Sequence, residues 1–268
     1  MTIRTKLAGL QAMLKFSNRW ALIVSRGLFG EPMNIYRIGD IEFIEDHRLG
    51  DANGARELLT SGMYDPFLAL IKAKNVRPWS VADFGASNGG FPMLLHHYGF
   101  NVKTLVAVEM NPAVFPRLRF NLEHNRTRLF CGQLQELELH NVAVGGKRRA
   151  VQIDVQGGTG GSILGNSKSR TDGAETRAVE VCLPGDVLRG RAFDMIKMDI
   201  EGAEHEIFSS DAGMFVRDCR YLIIEIHSGH THPRDVVSKL EALGLRRLAP
   251  NGDIPDETSV FCFAGTVS

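Results

Sequence analysis

Several things are scarce or missing in this sequence, and each absence excludes something. Only four cysteines occur in 268 residues, Cys131, Cys182, Cys219 and Cys262. No two form a CxxC pair, so a zinc knuckle or redox dithiol has no starting point. Cys182, Cys219 and Cys262 each sit in an apolar run, which predicts buried thiols. Charge of one sign is missing too: 31 Lys plus Arg balance 31 Asp plus Glu. A neutral chain has no general electrostatic attraction to a polyanion, and no nucleic-acid partner is expected. No stretch of about 18 apolar residues appears, so no membrane span is expected, and a cytoplasmic protein is.

What is present is ordinary globular material, 44% hydrophobic and 23% charged residues, enough to bury a core without staples. The first thirty residues stand apart. They hold Arg4, Lys6, Lys15, Arg19 and Arg26 and no acid before Glu31. The stretch LQAMLKFSNRWALIVSRGLF has the pattern of an amphipathic helix, suited to docking on the domain, to dimerisation or to peripheral membrane contact. Neither a cleavage site nor an uninterrupted apolar centre points to a secretory signal.

IYRIGDIEFIE reads as a hairpin turning near Gly39-Asp40. A helical stretch follows from about Asp51 to Lys74, broken near Ser61-Gly62. After Pro78, strand and helix signals alternate. SVADF and TLVAVE are strands, and FPMLLHHYG and PAVFPRLRFNLEHN are helices with proline in the first turn. NVAVGG is a third strand. RRAVQIDV and ETRAVEVCL flank a glycine- and serine-rich loop from Gly157 to Gly173, expected to be mobile and to close over an acceptor. DMIKMD, the helix AEHEIFSS, YLIIEIH, a helix over Pro233 to Leu243, and the strands GLRRLA and SVFCFAG complete the pattern. Strand–helix alternation predicts an α/β protein with a doubly wound, mostly parallel sheet. The division expected is an N-terminal helix-plus-hairpin extension over residues 1–60 and one catalytic domain over 61–268.

The chemistry concentrates at two strand tips. DFGASNGGF follows the first strand and opens a helix, where such sheets bind ligands. A dinucleotide fingerprint would need glycine where Ser87 stands, and a phosphate loop would end in Gly-Lys-Ser/Thr. Both are missing. The pattern that fits is DxGxxxG, Asp83–Gly85–Gly89, with Glu109 at the tip of the next strand as an acceptor for two ribose hydroxyls. These residues suit S-adenosylmethionine, which has no phosphate.

IKMDIEGAEHEIF places Asp199 and Glu201 where a strand gives way to a helix. Glu204 suits the first helical turn. Alternation in YLIIEIH puts Glu225 and His227 on one face and Ile224 and Ile226 on the other. An acid in a buried strand needs a partner, and His227 has a side chain suited to proton transfer.

DFGASNGGF, VAVEMNP and above all IKMDIEGAE resemble the FkbM-type S-adenosylmethionine-dependent methyltransferases, over roughly Gly62 to Leu248. The resemblance implies a Rossmann-like class I methyltransferase fold. It implies methylation of a hydroxyl on a sugar, glycan or small secondary metabolite. It puts Asp83, Gly85, Ala86, Ser87 and Gly89 at the methionine end of the cofactor, Glu109 on its ribose and Met110 beside the adenine. Asp199, Glu201 and His227 would face the acceptor. Two positions depart from the family pattern. Met110 replaces a proline, which is expected to loosen that turn, and Ser87-Asn88 replace smaller or apolar residues.

Methyl transfer to an alcohol requires alignment and removal of one proton. His227 or Asp199 is the expected base, with Glu201 orienting. No metal is expected. The alternative with a divalent cation would use Asp199, Glu225 and His227. Two other functions compete: a nitrogen acceptor in RNA or protein, and a non-catalytic nucleotide-binding protein.

Overall fold

A computed structural model describes residues 13–48, 54–73, 79–130, 135–155, 175–229 and 232–266. The Gly157–Gly173 loop lies outside the described residues. The hairpin expected from IYRIGDIEFIE is present, β1 (Met33–Ile38) pairing antiparallel with β2 (Ile41–Asp46). It is preceded by helix α1 (Arg19–Leu22), which widens into a π-helical turn over Ile23–Leu28. Helices α2 (Ala55–Ser61) and α3 (Asp65–Lys72) follow, separated by Gly62 with φ 75°. Only glycine takes that left-handed conformation at little cost, so the helical stretch breaks there.

The central sheet has seven strands in the order β5-β4-β3-β9-β10-β12-β11. These are β3 (Trp79–Phe84), β4 (Val102–Val108), β5 (Glu136–His140), β9 (Met195–Met198), β10 (Tyr221–Ile226), β11 (Arg246–Ala249) and β12 (Ser259–Ala264). β5, β4, β3, β9 and β10 are parallel, and β12 runs antiparallel to both its neighbours. The chain winds outward from β3 through β4 to β5. It then returns to place β9 and β10 on the other side of β3. The fold is therefore the expected doubly wound, Rossmann-like α/β sheet, and its topological switch point lies between β3 and β9. Connections leaving β3 and β9 diverge there and open a crevice. Helices α4 (Gly90–His97), α5 (Phe115–His124), α6 (Arg126–Leu129), α7 (Pro184–Leu188), α8 (Ala203–Phe208) and α9 (Pro233–Ala242) fill the connections. Strict alternation splits the apolar side chains between two cores. Val81 and Ile223 join one, and Ala82, Phe84, Ile224 and Ile226 join the other.

The third strand differs from expectation. β5 is ELELH, not NVAVGG. Only two residues of NVAVGG, Ala143–Val144, form a strand, β6. β6 joins the hairpin of β7 (Arg149–Asp154) and β8 (Thr176–Cys182) in a separate three-stranded sheet. ELELH sits at the sheet edge with Glu136 and Glu138 salt-bridged to Arg191 at 2.9 and 2.7 Å. Charged edges are ordinary protection against strand pairing, and they disguise the strand. A 3-10 helix over Asp211–Asp218 was also unanticipated.

The segment before residue 61 packs into the core of the main sheet. Phe16, Leu22, Tyr36, Phe43 and Ala55 belong to the same core as Val81, Phe91 and Leu105. Asn121 and Asn125 of α5 and its C-cap accept the backbone N–H groups of Ile44 and Glu42 at 2.8 and 3.1 Å. A Cβ on Gly90 would lie 2.7 Å from Ala55 Cα, so α2 and α4 touch backbone to backbone.

Candidate active site

A cavity of about 220 Å³ occupies the crevice. Its floor is the turn after β3. Gly85 has φ 78°, and a Cβ there would fall 1.8 Å from the carbonyl oxygen of Asp199. Glycine is therefore required both by conformation and by the contact with the turn after β9. Gly85 and Ala86 both donate their N–H to Val108 O, at 3.0 and 2.9 Å. Ser87 takes φ 48°, and its N–H donates to Glu109 Oε2 at 2.9 Å. The other oxygen of Glu109 accepts from Asn111 N–H at 2.7 Å. Burial drives the Glu109 carboxyl up to about 7, against the pull of those two donors. Each oxygen keeps a lone pair for a further hydroxyl. Ser87 Oγ is buried with no partner among the described residues.

The turn after β9 forms the opposite lip. Glu201 adopts φ 56°, an uncommon left-handed conformation for a residue with a side chain. That turn brings three side chains together. His227, just past β10, lies with Nε2 3.4 Å from Glu201 Oε2 and 3.9 Å from Asp199 Oδ1. Its Nδ1 is 3.3 Å from Oε1 of Glu204, which is wholly buried. The same Oε1 accepts Ile200 N–H at 2.9 Å, so Glu204 serves the turn as well as the ring. Burial works to lower the His227 pKa, but Glu204, Glu201 and Asp199 outweigh it and hold it up at about 9. Burial raises Glu201 to about 7, with His227 opposing. Glu225 is also raised, first by burial and then by Asp199.

Beneath both lips lies Lys197. Its Nζ donates to Gly85 O at 2.7 Å and pairs with Asp83 Oδ1 at 3.4 Å and Asp199 Oδ2 at 3.6 Å. Burial disfavours the ammonium, but Asp83 and Asp199 reverse that and raise its pKa. Burial likewise raises Asp83, with Lys197 pulling the other way. One buried cation thus ties the two strand tips to each other.

Of the residues singled out from sequence, Gly85, Ala86, Ser87, Glu109, Met110, Asp199, Glu201 and His227 line this cavity. Asp83 and Gly89 do not. Asp83 is spent on Lys197 under the turn. Gly89, φ 96°, is the N-cap of α4 and faces Leu118 and Leu122. The turn expected to loosen at Met110 is closed by the Asn111 N–H and by Asn141 Nδ2, which donates to Glu109 O at 2.8 Å. Asn88 points away from the cavity, its Oδ1 accepting Ala55 N–H at 2.6 Å. The carboxylate nearest His227 Nε2 is Glu201 rather than Glu225. Among the described residues, Asp199, Glu201 and His227 form the one group with ligand-type atoms all within 4.8 Å. Glu225 lines the cavity beside them. Sequence reasoning missed the wall supplied by Gly54, Glu57, Leu58 and Met63. It also gave Lys197 no role in the site, although a lysine inside the buried strand MIKM was a usable signal.

The Methyltransferase FkbM domain family matches residues 83–247. Among solved structures, a methyltransferase FkbM from Methylobacillus flagellatus is 18% identical, with a TM-score of 0.43, over 70% of this chain and 44% of that one. The chain thus spans less than half the length of that structure. A putative tRNA (m1A22) methyltransferase from Streptococcus pneumoniae, in complex with S-adenosyl-L-methionine, is 11% identical, with a TM-score of 0.42, over 76% and 74% of the two chains. A ribosomal protein L11 methylase from Lactobacillus delbrueckii is 12% identical, with a TM-score of 0.38, over 74% and 77%. No curated protein matches the chain.

Proposed function

The chain belongs to the FkbM methyltransferase family, and we propose that it is an S-adenosylmethionine-dependent O-methyltransferase acting on a hydroxyl of a sugar, glycan or small metabolite. The observation that carries this reading is His227 Nε2 lying 3.4 Å from Glu201 and 3.9 Å from Asp199 in the cavity that Glu109 also lines.

The residues present fit the cofactor. Gly85 leaves bare backbone at the floor, Ser87 Oγ is a buried polar atom without a partner among the described residues, and Glu109 offers free lone pairs for a ribose diol. Gly85, Ala86 and Ser87 would hold its methionine end, Glu109 its ribose and Met110 its adenine. When bound, S-adenosylmethionine supplies an activated sulfonium methyl, so the protein needs only to align a nucleophile and accept a proton.

Glu201 is the best-placed base, with a pKa of about 7, where a general base is most effective. Asp199 orients the acceptor hydroxyl while Lys197 holds its far oxygen. His227, charged below about pH 9, keeps Glu201 and Asp199 together despite their like charge. This reassigns the proton acceptor from His227 or Asp199 to Glu201. Gly54, Glu57, Leu58 and Met63 border the remaining space and would contact the acceptor.

The test is calorimetry with S-adenosylhomocysteine and with NAD, followed by turnover on hydroxylated sugars and on RNA. Binding of S-adenosylhomocysteine alone, with methylation of a hydroxyl, is the expected result. Affinity for NAD instead would overturn the cofactor. Methylation of RNA nitrogen would overturn the acceptor.

A further inference from the structure

Helix α1 and its π turn present two different sides. One side faces the hairpin: Leu22 is buried, Ser25 Oγ donates to Asn34 Oδ1 at 2.6 Å, and Arg26 Nη1 donates to Tyr36 Oη at 3.0 Å. The other side carries Trp20, Val24 and Leu28, followed by Phe29. They are 70%, 45%, 75% and 74% exposed. Four α-helical residues advance a stripe by roughly 40°, and four residues of the wider π turn set it back by about as much. The π turn therefore keeps Trp20, Val24 and Leu28 in one row. Isolated exposed apolar residues are ordinary, but a row of large ones with two aromatics marks a docking face.

Charge selects what docks there. Residues 13–30 hold Lys15, Arg19 and Arg26 and no acid, in a chain that is neutral overall. Lys15 donates to Thr60 O and Arg26, on the hairpin side, to Tyr36 Oη, neither partner an acid. Glu31 is the first acid in the sequence, beyond the apolar row. A second copy of the chain is a poor occupant, because a two-fold contact would set these cations against themselves. Four side chains also fall far short of the roughly 20–30 residues a side of a stable dimer. An anionic bilayer answers both features. Its headgroups offset the cations, and Trp, Phe and Leu side chains enter the boundary layer.

We propose that Trp20, Val24, Leu28 and Phe29, with the exposed Arg19 beside Trp20, seat this protein on an anionic membrane surface. The full chain should sediment with vesicles of phosphatidylcholine containing about 30% phosphatidylserine and much less with phosphatidylcholine alone, and salt should release it. Trp20 and Trp79 are the only tryptophans, and Trp79 is buried. A blue shift of emission on adding anionic vesicles therefore reports Trp20. The double substitution Trp20→Ser, Phe29→Ser should weaken partitioning by roughly tenfold or more, and Arg19→Glu should weaken it and lower its dependence on lipid charge as well. The thermal midpoint of each variant should match the parent, since these side chains are exposed. Sedimentation indifferent to lipid charge, or unaltered in the folded variants, would overturn the proposal. So would a dimer in light scattering that Trp20→Ser dissolves, which would give the face to a second copy.

Discussion

At the scale of single residues, the site is governed by burial acting on charge. Glu201 and His227 titrate at about 7 and 9. If ionised Glu201 takes the proton and charged His227 holds it, kcat/KM rises with pH through about 7 and falls above about 9. Glu201→Gln should slow turnover by about 10²–10⁴-fold and abolish the rising limb, while S-adenosylhomocysteine binds as before. A variant that keeps the limb would move the base elsewhere. Glu109 sets a second pH dependence. Its carboxylate must be ionised to accept ribose hydroxyls at both oxygens, so affinity for S-adenosylhomocysteine should weaken as pH falls below about 7. Calorimetry across pH 5.5–8.5 checks this, in roughly that window. Lys197 is a different matter, because it holds rather than reacts. Lys197→Met strands Asp83 in the core and should cost about 3–5 kcal/mol in chemical denaturation. Adding Asp83→Asn should recover part of that loss, a non-additivity expected of a buried pair.

At the scale of elements, backbone contact does the positioning. The turns after β3 and β9 meet where Gly85 touches Asp199 O, and α2 meets α4 where Gly90 touches Ala55. Any side chain at Gly85 forces the two lips apart. Gly85→Ala should therefore abolish S-adenosylhomocysteine binding. Gly90→Ala should shift α2 instead, costing about 1–3 kcal/mol in the unfolding midpoint as overpacked sites do. It should raise the acceptor KM more than it changes cofactor affinity, because Gly54, Glu57 and Leu58 move with α2. Equal loss of both would show that α2 borders the cofactor rather than the acceptor. Elements also show where sequence signals were readable. The apolar strands SVADF, MIKM and YLIIEI announced themselves because both faces of each are buried. ELELH did not, since an edge strand buries little and uses its acids to pair Arg191. NVAVGG read as a strand of the main sheet because it is apolar, but Ala143–Val144 pair with β8 in the small sheet, where Ala143 packs on Ala203 of α8 while Val144 packs on the main core.

At the scale of the whole molecule, the crevice exists because the winding of the chain, not the strand direction, reverses between the parallel strands β3 and β9, and the N-terminal segment closes one side of it. The cluster of Asp199, Glu201 and His227 can be explained by ion pairing alone, so exhaustive chelation should leave turnover unchanged. Loss of activity restored by Mn²⁺ would seat a divalent cation on those three side chains. Alternation of strands and helices, the DFGASNGGF loop, Glu109 at a strand tip and IKMDIEGAE were all determined by the sequence itself. Each follows from local periodicity or from conformations open to few residue types. The tertiary structure alone decided which carboxylate meets His227, that Asp83 is consumed by Lys197, and that residues before 61 wall the cavity. Those outcomes depend on which strands and helices lie side by side. Residues 112 positions apart, such as Gly85 and Lys197, leave no local signal of their meeting.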